Sequence, residues 1–161
     1  MASSIFGVDD DTPAPAAPGQ GDPAQAIALL AGELAGRIQA HFAARAAEVG
    51  LSVPEAKAVL AIEPEDEVTM RELASRMNAN PSNVTVVVGK LTVRGFLAHA
   101  TGAGDRRVRP VALTESGTLL RKRFQDCLAN NNPLTAGLSA AECHAFRDLL
   151  TKVSEGHHSA P

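Results

Sequence analysis

Tryptophan and tyrosine are both absent, and five phenylalanines are the only aromatic residues among 161. A chain this poor in aromatic faces is not suited to stacking the bases of single-stranded nucleic acid. Cysteine is scarce as well, and Cys127 and Cys143 cannot make a disulfide framework. Both fall at apolar helical positions, where cysteine usually acts as a small hydrophobe; oxidant sensing would need exposure and a lowered pKa. No stretch approaches the ~20 apolar residues of a membrane span, and no basic segment leads into an apolar run. A cytoplasmic location is therefore expected. There is no glycine-rich phosphate loop, no nucleophile elbow and no metal motif. His41, His99 and His144 are scattered, with no pair at the i, i+4 spacing that places two ligands on one helix face. Neither an enzyme nor a cofactor is expected.

What is present is a segregated charge. The formal total is −3, yet 69–123 holds Arg71, Arg76, Lys90, Arg94, Arg106, Arg107, Arg109, Arg121, Lys122 and Arg123 against Glu72, Asp105 and Glu115. Ten bases against three acids leave that segment at +7, so the remainder carries −10. A basic block inside an acidic chain is the footprint of a phosphate-binding face, although segregation alone can also be a solvated surface.

The basic block opens on TMRELASRMNANPSNVTVVVGKLTVRG, Thr69 to Gly95. Thr69 and Glu72 have the spacing of a capping box, so a helix is predicted from Met70, with Leu73, Ala74 and Met77 on its apolar face. Residues 78–80 break the pattern. Asn80 can cap a second helix with Pro81 in its first position, where a missing N–H costs nothing. Val84, Val87, Val88 and Leu91 then turn one stripe inward, and Gly95 closes the helix. Two short helices joined by a tight turn make a helix-turn-helix, whose second helix is the one offered to a DNA major groove.

The rest of the chain, about one domain in length, arranges itself around this pair. Residues 1–23 are rich in Pro, Ala, Gly and Asp without periodicity and read as a disordered acidic arm. From 24 to about 50, Ile27, Leu30, Leu34, Ile38, Phe42 and Val49 recur at helical steps, giving a long helix that is expected to reach a second subunit. Ser52 and Glu55 start a short helix through Val59 and Leu60, which ends at the acidic run 63–67. After Gly95 the period changes. Phe96 to Ala100 and Val108 to Leu113 are strand candidates around the turn TGAGDRR, a ribbon with a basic tip. Pro110 suits a two-stranded ribbon, in which both strands are edges. Thr114 caps a helix through Leu119, Leu120, Phe124, Cys127 and Leu128. Ser139 with Glu142 opens the last helix, through Cys143, Phe146, Leu149, Leu150 and Val153, before a frayed tail at 156–161.

This order of helix, helix, helix-turn-helix, wing, helix, helix resembles the MarR family of bacterial transcription regulators. The resemblance is most specific in RGFLAHATGAGDRRVRPVALTESG, above all in Asp105-Arg106-Arg107 and in the L-T-E-S-G of Leu113 to Gly117. It implies a mainly α, winged helix-turn-helix fold with a two-stranded β wing, its domain covering 24–155. Residues 52–113 would be the DNA-binding part, and the helices at 24–50 and 114–155 would interlock two copies. The resemblance further implies a homodimer on palindromic double-stranded DNA, a repressor in many relatives, and often release by a small lipophilic or phenolic effector. The candidate effector pocket lies between the dimer helices and the winged part, with Ile38, Phe42 and Leu60 as lining.

If the inward stripe is correct, Ser82, Val86, Gly89 and Val93 point outward, with Asn83, Thr85 and Lys90 on the flanks. Ser82, Asn83 and Thr85 can reach phosphates or base edges, and Lys90 is either a phosphate contact or an end-of-helix charge. The family commonly has a long basic or polar residue at Val86 and an acidic one at Gly89. An outward valine can touch only thymine methyls, and sequence discrimination is expected to be weak. By resemblance, Arg107 enters a minor groove with Asp105 pairing to it, while Arg106 and Arg109 contact phosphates; the alternative is a salt bridge on a solvated loop. Two other classes of function stay open: a low-specificity architectural DNA-binding protein, and a protein-interaction module that has lost DNA binding.

Overall fold

A computed structural model describes residues 22–100, 110–130 and 132–156. The acidic arm as far as residue 21, the wing tip at 101–109 and the tail from 157 lie outside the described residues. Among the described residues, six helices and one two-stranded sheet follow in order: α1 Pro23–Glu48, α2 Val53–Ala61, α3 Met70–Arg76, α4 Pro81–Val93, β1 Leu97–His99, β2 Val111–Leu113, α5 Glu115–Ala129 and α6 Ala140–Gly156. The chain divides into two compact units, Met1–Glu33 and Leu34–Pro161, and the division falls inside α1. In the first unit, the described part of α1 exposes Ile27, Leu29 and Leu30. Among the described residues no helix is long and apolar enough to cross a membrane.

Local chemistry sets the helix limits. At α3 the Thr69 hydroxyl accepts the Glu72 N–H, while the Glu72 carboxylate takes the Thr69 N–H at 2.9 Å and its hydroxyl at 2.8 Å. Those two donors hold the Glu72 carboxyl below its ordinary range, the N–H contributing most. The Asn80 side chain caps α4 by accepting the Ser82 N–H at 3.0 Å, with Pro81 in the first helical position. The turn between these helices needs a left-handed residue, which Asn78 supplies at φ 47°. Gly95, at φ 76°, ends α4 and lets the Phe96 N–H reach the Leu91 carbonyl at 2.9 Å.

The core of the second unit lies where α2, α3, α4 and α5 meet the sheet. Val59, Ile62, Leu73, Val84, Leu91, Leu97, Val111 and Phe124 are all buried, and Phe42 of α1 packs edge-on against Phe124 with ring centroids 5.3 Å apart. Truncating any of the larger ones to alanine would cost ~2–5 kcal/mol. The expected inward stripe of α4 is the observed one. In α5 the stripe is Gly117, Leu120, Arg121 and Phe124, whereas Leu119, expected on the apolar face, is exposed. Helix α6 also buries little within the chain, because Leu149, Leu150 and Val153 face outward.

The ribbon is antiparallel, pairing Leu97 with Leu113, Ala98 with Ala112 and His99 with Val111. It is not edged on both sides as the sequence suggested. Val68, just after the acidic run, exchanges both backbone hydrogen bonds with Val111, at 2.9 and 2.8 Å. Pro110 precedes the doubly paired residue, and its carbonyl accepts the Ala100 N–H at 2.9 Å. The missing N–H therefore interrupts no ladder.

Candidate nucleic-acid interface

Because Val84, Val87, Val88 and Leu91 anchor α4 in the core, its opposite face is fixed outward. Ser82, Asn83, Thr85, Val86, Gly89 and Lys90 are all exposed, as the sequence predicts. Val86 is 59 % exposed and Val93, two turns on, 89 %. The hydroxyls on this face are less available than their residue types suggest. Ser82 Oγ donates to Asn80 Oδ1 at 2.8 Å, and Thr85 Oγ1 donates to the Pro81 carbonyl at 3.0 Å. Each has committed its only proton and keeps lone pairs.

The far end of α4 is held by a clamp that reaches across the fold. Arg94 Nη2 donates to the Gly50 carbonyl at 2.9 Å, and Nη1 donates to Glu55 Oε1 at 3.3 Å. The same guanidinium lies 5.0 Å from the centroid of the Phe96 ring. Burial of Glu55 works against its charged form, but the Ser52 hydroxyl and N–H, with Arg94 beside it, outweigh this and hold its carboxyl below the usual range. The start of α2 and the end of α4 are thereby locked together, which fixes how α4 is presented.

This clamp also revises the expected charge distribution. Three of the ten bases in the +7 segment pair with acids outside it: Arg94 with Glu55, Arg76 with Asp66 at 3.0 Å, and the nearly buried Arg121 with Glu63. Among the described residues, Arg71, Lys90, Lys122 and Arg123 are exposed and make no ion pair. Asp105, Arg106, Arg107 and Arg109 lie outside the described residues. The root of the ribbon is held by close packing and by side-chain hydrogen bonds. Gly117, in the first turn of α5, packs so tightly on the Phe96 carbonyl that an added Cβ would lie 2.0 Å from its oxygen. The Thr114 hydroxyl donates to the Gly95 carbonyl at 2.7 Å and accepts the Gly117 N–H at 3.0 Å. The L-T-E-S-G sequence thus joins the end of α4, the ribbon and α5 at one point.

Of the three residues expected to line an effector pocket, Phe42 and Leu60 share a recess of about 330 Å³ with Lys57, Ala61, Arg76 and Met77. Ile38 is half-buried but not part of that lining. The two cations were missed because nothing local marks them as neighbours of Phe42. Arg76 also donates to the Ala61 carbonyl at 2.9 Å. A larger apolar groove, about 620 Å³, runs along α6 beside Cys143, Phe146 and Leu150. Cys127 and Cys143 are free thiols, each half-buried.

Residues 49–108 match the sequence profile of the MarR family. The HTH-type transcriptional repressor MdtR of Bacillus subtilis is 24% identical over 100 residues, which are 62% of this chain and 63% of that protein. This chain therefore spans somewhat under two thirds of the repressor's length. A MarR-family transcriptional regulator from Rhodococcus sp. RHA1 superposes with a TM-score of 0.65 at 25% identity, covering 82% of this chain and 94% of that one. The Mycobacterium tuberculosis MarR-family protein Rv2887, in complex with salicylic acid, superposes with a TM-score of 0.65 at 23% identity, over 83% and 98% of the two chains. The profile match runs through the whole helix-turn-helix, and the fold along most of the chain is the winged-helix fold of MarR-family regulators, to which this chain is similar.

Proposed function

We propose that this chain is a homodimeric repressor that binds a palindromic duplex site and is released by a small aromatic effector. The observation that carries the reading is the presentation of α4. It is anchored inward by four buried residues, clamped at its far end by Arg94, and leaves one polar and apolar stripe exposed directly before a two-stranded ribbon. Ser82, Asn83, Thr85, Val86 and Lys90 would meet the major groove, with Arg107 in a minor groove and Arg106 and Arg109 on phosphates. The outward leucines and valine of α6 support association of two copies. Salicylic acid bound to Rv2887 supports an effector of the same type here. A recess that sets Lys57 beside Phe42 and Leu60 suits an aromatic carboxylate. Repression itself follows MdtR by analogy.

A second reading has a specific observation in its favour. An exposed valine and glycine in the middle of α4, where base edges would otherwise be read by polar side chains, would suit a low-specificity architectural DNA-binding protein. Fluorescence anisotropy separates the two, with the protein titrated against its own upstream DNA and a shuffled duplex at several salt concentrations. Tight binding to the upstream duplex alone, weakened by Arg107→Ala and reversed by salicylate, is the expected result. Equal and steeply salt-dependent binding to both duplexes would establish the architectural role. Absence of binding to either would refute DNA binding.

A further inference from the structure

The outward stripe of α4 has an unusual chemical character for a surface that meets base edges. Its centre is Val86, with Ser82 and Asn83 one turn before it and Gly89 and Lys90 one turn after. The two hydroxyls on this side, Ser82 and Thr85, have given their protons to Asn80 Oδ1 and to the Pro81 carbonyl. Donating to a base would require breaking those bonds. Nothing lies within 4 Å of where a Cβ of Gly89 would stand, so α4 has a notch beside Val86 rather than a side chain holding it away from its target. A close approach centred on an apolar side chain needs an apolar partner. In the major groove only one base feature qualifies, the methyl group at C5 of thymine, which 5-methylcytosine also carries.

We propose that Val86 is a specificity-determining residue that reads a pyrimidine C5-methyl group, with the Gly89 notch allowing the contact to close. This rests on the DNA-binding reading above and deepens it. Discrimination at the centre of each half-site comes from methyl burial, while Asn83 and Lys90 supply polar contacts at the edges. Operators are then marked by a thymine at a fixed position in each half-site.

The test uses the full chain and a duplex recovered by selection from a random pool. Each thymine of that duplex is replaced in turn by uracil, which removes the methyl and nothing else. Affinity is measured for the wild type and for Val86→Ala, a substitution at an exposed position. Burying one methyl accounts for about a fourfold change in affinity, or roughly fifteenfold for two equivalent half-sites taken together. The expected result is one thymine per half-site whose replacement weakens the wild type by about that factor and leaves Val86→Ala unaffected. Full affinity for every uracil-substituted duplex would overturn the proposal while leaving DNA binding intact. So would a methyl effect that persists unchanged in Val86→Ala. If no duplex is selected or bound, DNA binding fails and the methyl reading falls with it.

Discussion

Replacing Gly117 with alanine sets helix propensity directly against packing. By propensity alone the change should stabilise α5 by ~1 kcal/mol, since glycine is the poorer helix former. The geometry reverses the sign. An added Cβ would lie 2.0 Å from the Phe96 carbonyl oxygen, 3.0 Å from the carbon of that carbonyl and 3.1 Å from Leu113 Cδ2. A backbone oxygen cannot rotate away as a side chain can. Either α5 or the ribbon root must move by more than an ångström, straining the Thr114 bonds to Gly95 and Gly117. Overpacking of this kind costs ~3 kcal/mol or more, so the net loss is about 2 kcal/mol once the ~1 kcal/mol of propensity is returned. For a domain of this size that lowers Tm by roughly 6–10 °C. The assay is urea and thermal unfolding followed by circular dichroism at fixed protein concentration, because dimerisation would couple to stability. Gly89→Ala is the control: it is also a helical glycine, but its Cβ would meet open space. It should raise stability by ~0.5–1 kcal/mol. A Gly117→Ala protein as stable as the wild type, or more so, would refute the packing argument.

Three further outcomes follow from the same geometry. Arg94→Met should lower stability by about 1–2 kcal/mol, because it leaves Glu55 nearly buried without its cation; much of the pair's Coulomb energy is already screened at the exposed guanidinium. Urea titration checks this, and a loss below ~0.3 kcal/mol would mean that the clamp contributes nothing measurable. Glu55, Glu72 and Glu142 are all held below the ordinary glutamate value of 4.5, so each stays ionised to lower pH in the folded chain than in the unfolded one. Their contribution should be complete above that value and disappear as the pH falls through their folded-state values; Glu55→Gln should flatten the acid limb of a stability profile taken from pH 7 down to 3. Leu150→Glu, on the outward face of α6, should shift the protein toward monomer in sedimentation velocity and weaken DNA binding without lowering the monomer's helix content. An unchanged dimer would show that the α6 face does not hold the two copies together.

The sequence by itself determined the elements and the inward face of α4, because the signals for both are local. Thr69 with Glu72, Asn80 with Pro81, Thr114, and Ser139 with Glu142 lie within three residues of the groups they cap, and the structure starts a helix at each. A period of 3.6 fixes which valines are buried once a helix is granted. The expected strands were also legible, as short segments flanking a Gly-containing turn of which only the second is rich in β-branched residues, although the bridge from Val68 to Val111 was not, since a single valine after an acidic run has no period to read. Only the tertiary structure decided which charges remain for a ligand. The segment's surplus of bases was correctly counted, but Arg94, Arg76 and Arg121 are drawn to Glu55, Asp66 and Glu63 across separations of 39, 10 and 58 residues. Composition carries no record of such pairings. The same holds for Lys57 and Arg76 beside Phe42, and for Gly117 against the Phe96 carbonyl. Caps and periodicity are set by neighbours along the chain, whereas ion pairs, recesses and close backbone contacts exist only after distant segments have packed.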